Sequence, residues 1–232
     1  MTIALSAAEA MDTVDYAQLR FIMVEQHIRP WDVLDHRVLE VVSHLPREDF
    51  VGDAYRGLAY GDLEVPLGHG EFMLQPKIIA RLLQALDPRP NEVALEIGTG
   101  SGYLTACLAS LSAQVDSVDI EPDFKHAAQA RLKALELNNA TLRVADAAHG
   151  WGIRERYDVM VITSSLPEAA QLAPFEQRLA VGGRLCAIVG MAPVMHAMLI
   201  TRMDETSYAR VNLFETSVKP LRGLHKTQVF KF

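Results

Sequence analysis

Residues 94–103 read ALEIGTGSGY. An apolar run meets an acid, Glu96, and glycines follow at positions 98, 100 and 102. Three glycines in five residues exceed what helix–strand packing asks for. They permit a tight turn and let a ligand lie against bare backbone. The dinucleotide fingerprint spaces its glycines GxGxxG, whereas the spacing here is GxGxG. A carboxylate two residues before the first glycine repels a pyrophosphate and suits a cation. S-adenosyl-L-methionine carries a sulfonium and an ammonium and no phosphate, so the E-x-G-x-G-x-G pattern favours it over a nicotinamide dinucleotide. The chain has no GxxxxGKS or GxxxxGKT stretch, which excludes a P-loop nucleotide site.

Two further acids stand where apolar runs end. SVDIE places Asp119 at the end of a second strand, where an acid accepts hydrogen bonds from ribose hydroxyls. Glu121 takes that role if the register lies two residues on. VADAA closes a third strand and offers Asp146 to an adenine amino group. Each acid alone is weak evidence, and the series over successive strands is much more specific. No histidine pair has metal-ligand spacing among the eight in the chain and no cysteine cluster joins them, so no metal site is expected.

These groups need a scaffold. From residue 91 onward, apolar runs alternate with helical patterns: EVALEIG, YLTACLASL, AQVDSVDI, PDFKHAAQARLKALEL, ATLRVAD, YDVMVITSS, PEAAQLAPFEQRL and GGRLCAIVG. Such alternation predicts an α/β fold with a mostly parallel sheet covered on both faces. MHAMLITRMD and ARVNLFET follow without a helix between them and predict an antiparallel hairpin at the sheet edge. KTQVFKF offers a last edge strand or a packed tail. Upstream, residues 15–28 have helical spacing, broken at RPWD because Pro30 disfavours helical angles at Arg29. Asp35 caps HRVLEVVSHL, and QPKIIARLLQAL carries Pro76 in its first turn. Residues 49–70 read as an ordered loop, and Trp31 is expected to pack the first helices onto the sheet domain. His149 and Trp151 are expected to fix the loop after the third strand.

The division expected is a flexible tail at 1–12, with Met11 as an alternative start, a helical cap and substrate-facing loop at 13–89, and a cofactor-binding domain at 90–232. At 232 residues, cap and domain can share one core. Cys107 and Cys186 sit in apolar surroundings and read as buried thiols. No apolar run approaches the ~20 residues of a membrane span, and the N-terminus lacks the basic start of a signal peptide, so a cytoplasmic location is expected. Acidic residues outnumber basic ones 29 to 22, against a nucleic-acid partner. Arg202, Arg210, Lys219, Arg222, Lys226 and Lys231 gather near the end and read as a solvated surface.

With these residues in view, the chain resembles the protein-L-isoaspartate O-methyltransferase family from about residue 17 to residue 221. LEIGTGSGY matches the family's glycine motif. LPREDFV resembles its VPRExFV, VPLGHGEFMLQP its LPIGxGQTISQP, and VKPL its FVPL. AHGW, YDVMVITSS and GGRL resemble later motifs. The resemblance implies a Rossmann-like class I methyltransferase with a seven-stranded sheet, an antiparallel edge and an N-terminal helical cap. It implies an enzyme that uses S-adenosyl-L-methionine to methylate the carboxylate of isoaspartyl residues in damaged proteins. Glu96, Gly98, Gly100, Ser101 and Gly102 would hold the methionine part, Asp119 the ribose and Asp146 the adenine, with Thr99, Ile120 and Ala147 beside them.

The chain also departs from the family pattern. The family's GQTISQP becomes GEFMLQP, so its threonine is Phe72 and its serine Leu74. Its GDG becomes ADA at 145–147, and its TAA becomes TSS, with Thr163 and Ser164 facing the substrate. A carboxylate is already anionic near pH 7 and a sulfonium leaves without a proton, so no general base is required and no catalytic residue is assigned. Leu74 excludes water but donates no hydrogen bond. Ser164, Ser165 and His69, which GHG places in the loop near the cofactor, are the candidates to replace that donor. Two alternatives stay open: a more apolar small-molecule or peptide acceptor, and a non-catalytic protein that binds the cofactor.

Overall fold

The computed structural model describes residues 14–151 and 154–224. The expected tail at 1–12 and the KTQVFKF segment lie outside the described residues. The chain opens with helix α1, Tyr16–Ile22, whose N-terminus is capped by Asp15 accepting from the Gln18 N–H at 3.0 Å. The helix does not break where Pro30 predicts. It continues as π-helical turns over Met23–Ile28 and a 3-10 turn over Arg29–Trp31, and Arg29 keeps helical angles. The widened turns give the proline ring room against the preceding carbonyls. The stop comes at Asp32, in the left-handed region at φ 57°. Helix α2, His36–His44, is capped by Asp35 and ends before Pro46 as expected.

Two 3-10 segments, Arg47–Phe50 and Asp53–Leu58, lead into a short antiparallel hairpin of β1, Val65–Gly68, and β2, Glu71–Met73. The hairpin lies where the sequence reading has only loop and substrate segment. Helix α3, Pro76–Leu86, then delivers the chain to the main sheet.

The main sheet holds β3 (Val93–Ile97), β4 (Gln114–Asp119), β5 (Ala140–Val144), β6 (Tyr157–Leu166), β7 (Leu179–Met191), β8 (Val194–Arg202) and β9 (Tyr208–Thr216). Their spatial order is β5-β4-β3-β6-β7-β8-β9. The first five are parallel in register, and β8 and β9 add antiparallel at the edge. Helices α4, Tyr103–Leu111, and α5, Pro122–Ala134, make the first two crossovers. The crossover after β6 is smaller than its pattern predicts: a 3-10 turn at Ala169–Leu172 and helix α6, Ala173–Glu176, with Pro174 in its first turn. After β5 the chain returns to the other side of β3, creating a crevice beyond the strand ends where α/β sheets bind ligands.

The two-residue period of the strands sorts side chains to two cores. Ala94, Val159, Val161 and Cys186 join one, and Leu95, Met160, Ile162 and Leu185 join the other. Met23, Ile28, Val42 and Phe50 from the N-terminal helices belong to the first core, so cap and sheet face bury one another. Trp31 fixes the join: its ring meets Phe214 of β9 edge-on at 5.8 Å while Lys77 lies 4.4 Å over it. Both cysteines are free and buried. Among the described residues, no helix is long and apolar enough to cross a membrane.

Candidate functional site

The glycine turn closes β3 and opens α4, and all three glycines have positive φ, at 95°, 49° and 86°. The protein's own neighbours, more than a ligand, forbid side chains at two of them. A Cβ on Gly98 would stand 2.1 Å from Thr163 Oγ1 of β6, and one on Gly102 would stand 2.7 Å from the Ala128 Cβ of α5. Gly102 therefore lets α4 and α5 approach, and it lies outside the cavity wall. Gly98 and Gly100 line the wall, as do Thr99, Ser101 and Ile97. The cleft they border has a cavity volume of about 130 Å³.

Glu96 is fully buried in β3 and reaches the same cleft. Its Oε2 accepts from Ser117 Oγ at 2.6 Å and from Thr105 Oγ1, whereas its Oε1 has no partner among the described residues. Burial pushes the carboxyl up to about 8, and the neighbouring Asp119 charge adds to this, against the pull of the two hydroxyl donors. The residue is thus half satisfied, with one buried oxygen lacking a donor among the described residues.

Asp119 ends β4, is nearly buried and lines the cleft. Its Oδ2 accepts from the Gly100 N–H at 2.8 Å and its Oδ1 from the Glu121 N–H at 2.9 Å. It therefore ties the glycine turn to the next strand, a task the sequence reading does not assign to it. Burial raises its carboxyl above the usual range. Glu121, the alternative register, lies outside the wall. Asp146 follows β5 and lines the cleft with Ala147. It accepts from the Ala148 N–H at 2.9 Å and meets His149 Nδ1 at 2.7 Å, which holds it below the usual carboxylate range. Ile120, 38% exposed, completes this side. Trp151 stacks on Phe175 at 5.1 Å and steadies the loop beyond His149.

The opposite wall comes from the β1–β2 hairpin, with Leu67, Phe72, Met73 and Leu74 in it. Phe72 is 42% exposed and Leu74 only 9%. Arg47, fully buried, holds the Leu74 carbonyl at 2.6 Å and the Ala59 carbonyl at 2.7 Å, with its guanidinium 4.8 Å over the Tyr103 ring. Thr163 and Ser164 also line the cleft, and Thr163 Oγ1 donates to the Ile97 carbonyl at 3.1 Å. Ser165 is buried outside the wall. His69 is also outside it. Two acids at the start of α5 hold the ring away, with Nε2 at 2.7 Å from Asp123 and Nδ1 at 3.6 Å from Glu121. The hydrogen bond to Asp123 raises the His69 pKa.

Residues 218–222 form a wall the sequence reading did not assign. The Ser165 N–H donates to the Lys219 carbonyl, and the Leu221 N–H to the Ser165 carbonyl, each at 2.8 Å. Arg222 joins Glu121 at 2.5 Å and Glu71 of the hairpin at 3.4 Å. Lys219 Nζ donates to the Gly70 carbonyl. These cations are latches, not a dispersed solvated surface. Arg202 departs furthest from that expectation: it is 4% exposed and donates to the Leu179 carbonyl at 2.7 Å. Only the short VKPL match pointed to this segment. Lys226 and Lys231 lie outside the described residues.

The sequence model of the protein-L-isoaspartate(D-aspartate) O-methyltransferase family matches residues 21–223. A protein-L-isoaspartate O-methyltransferase of Syntrophus aciditrophicus is 36% identical over 195 residues, covering 84% of this chain and 88% of its own. Protein-L-isoaspartate O-methyltransferase 2 of Marinobacter nauticus is 35% identical over 213 residues, covering 91% and 96%. A Plasmodium falciparum protein of that description, solved with S-adenosyl-L-homocysteine, shares the fold with a TM-score of 0.72 at 19% identity, over 89% of this chain and 98% of that one. A match of this extent at this level of identity leaves one conclusion: the chain belongs to the protein-L-isoaspartate(D-aspartate) O-methyltransferase family.

Proposed function

We propose that this chain is an S-adenosyl-L-methionine-dependent carboxyl O-methyltransferase acting on isoaspartyl residues of proteins or peptides. The observation that carries the reading is Glu96, buried at the glycine turn in the wall of the cleft, with Oε1 unpaired among the described residues. That atom fits an ammonium donor and opposes a phosphate. The residues present therefore fit the cofactor, which when bound supplies a methyl group on a positively charged sulfur.

Gly98 and Gly100 would admit its methionine part against bare backbone, and Glu96 Oε1 would accept from its ammonium. Asp119 keeps lone pairs free beside its two backbone bonds for the ribose hydroxyls. Asp146 stands at the adenine end. Ile120 offers an apolar surface between them.

The acceptor carboxylate brings its own charge, so the chain's contribution is alignment and exclusion of water. Phe72 and Leu74 supply the exclusion. No histidine lines the cleft among the described residues, consistent with chemistry that moves no proton. The apolar run Phe72–Leu74 also favours a second reading, a more hydrophobic acceptor of the same methyl group. Mass spectrometry of an isoaspartyl peptide incubated with protein and cofactor tests the first reading. One added methyl group supports it, and an unmodified peptide beside a methylated apolar carboxylic acid favours the second.

A further inference from the structure

Five acids line the cleft, Glu64, Glu71, Glu96, Asp119 and Asp146, against two cations, Lys219 and Arg222. An anionic acceptor entering such a cavity needs a positive charge that is not already neutralised. Arg222 does not offer one, because Glu121 and Glu71 both pair with it. Lys219 pairs with no carboxylate among the described residues. Its ammonium donates to the Gly70 carbonyl and lies 5.4 Å from the centre of the Phe72 ring. Its backbone is held by Ser165, next to Thr163 and Ser164 in the wall, so the charge has a fixed base. The position is also one where this chain departs from the family resemblance, VKPL against FVPL. It faces Phe72, which stands where the family has a hydroxyl.

We propose that Lys219 is a specificity-determining residue that binds the carboxylate of the methyl acceptor. It takes the place of hydroxyl donors lost at positions 72 and 74. The ammonium holds one carboxylate oxygen by a charge-assisted hydrogen bond and leaves the other to meet the methyl group. The assignment rests on the carboxyl-methylation reading.

The test is steady-state kinetics on an isoaspartyl peptide with Lys219→Gln and Lys219→Arg, beside calorimetric binding of S-adenosyl-L-homocysteine and of the peptide to that complex. Glutamine keeps a donor for the Gly70 carbonyl but removes the charge. The expected result for Lys219→Gln is a KM and a peptide Kd raised about fivefold or more, the size of one charge-assisted contact. Its affinity for S-adenosyl-L-homocysteine is unchanged, and arginine restores KM. An unchanged KM in Lys219→Gln, with wild-type protein active, overturns the assignment and leaves the functional reading standing. Wild-type protein that binds S-adenosyl-L-homocysteine yet neither binds nor methylates the peptide overturns both.

Discussion

Thr163 Oγ1 occupies the space that a side chain at Gly98 would need, only 2.1 Å from the Cβ position. The hydroxyl donates to the Ile97 and Gly98 carbonyls, at 3.1 and 3.2 Å. The β6 strand thus holds the end of β3 in the shape that forms the glycine turn. Gly98→Ala should lower stability by about 2 kcal/mol or more, through contact and left-handed strain together. Thr163→Ala in that background should restore part of it, because only the contact is relieved. Urea unfolding of the two variants and the double variant measures both contributions.

Glu96 predicts a pH dependence with a definite sign. Its folded-state pKa, about 8, stands above the ordinary value of 4.5. Between those values the unfolded chain releases the proton and the folded chain keeps it, so stability falls as pH rises through this window and then levels off. Glu96→Gln should flatten that fall in Tm. If Oε1 accepts from the cofactor's ammonium, wild-type affinity rises with pH up to about 8, with proton release on binding below it. Calorimetry in buffers of different ionisation enthalpy detects that proton, and Glu96→Gln should abolish it.

Leu74 offers no hydrogen bond to an acceptor oxygen. Leu74→Ser should raise kcat/KM for an isoaspartyl peptide by about tenfold, the value of one donor to a charged group. The lost burial costs about 2 kcal/mol of stability, so rates are to be taken per folded molecule. An equal or lower rate refutes the idea of a missing donor.

Arg47 joins the cap to the hairpin side of the cleft through the Leu74 carbonyl. Burial lowers its pKa, and no carboxylate pairs with it among the described residues. Arg47→Met leaves the Ala59 and Leu74 carbonyls without this donor and should destabilise the fold by about 3 kcal/mol. The midpoint of urea unfolding reads this directly.

Much of the frame was legible in the sequence because buried parallel strands are written as apolar runs. The three acids at strand ends and the β8–β9 hairpin are read from such runs and the residues that close them. The β1–β2 hairpin was not, since strands of four and three residues carry no period. Nor does an apolar run say which neighbour a parallel strand takes, so strand order came only from the fold. The packing of Gly102 against α5 was not legible either, because a glycine needed for helix packing and one needed for a ligand are spelled alike. The ion pairs of His69 and Arg222 were hidden for another reason. Their positions follow from ion pairs with Asp123 and Glu121, more than 50 residues from either in sequence.

The most direct measurement is transfer of labelled methyl from S-adenosyl-L-methionine to an isoaspartyl peptide, run beside the same peptide with a normal aspartyl linkage. The account predicts base-labile label on the isoaspartyl peptide alone. Equal labelling of both, or none on either while the cofactor is bound, contradicts it.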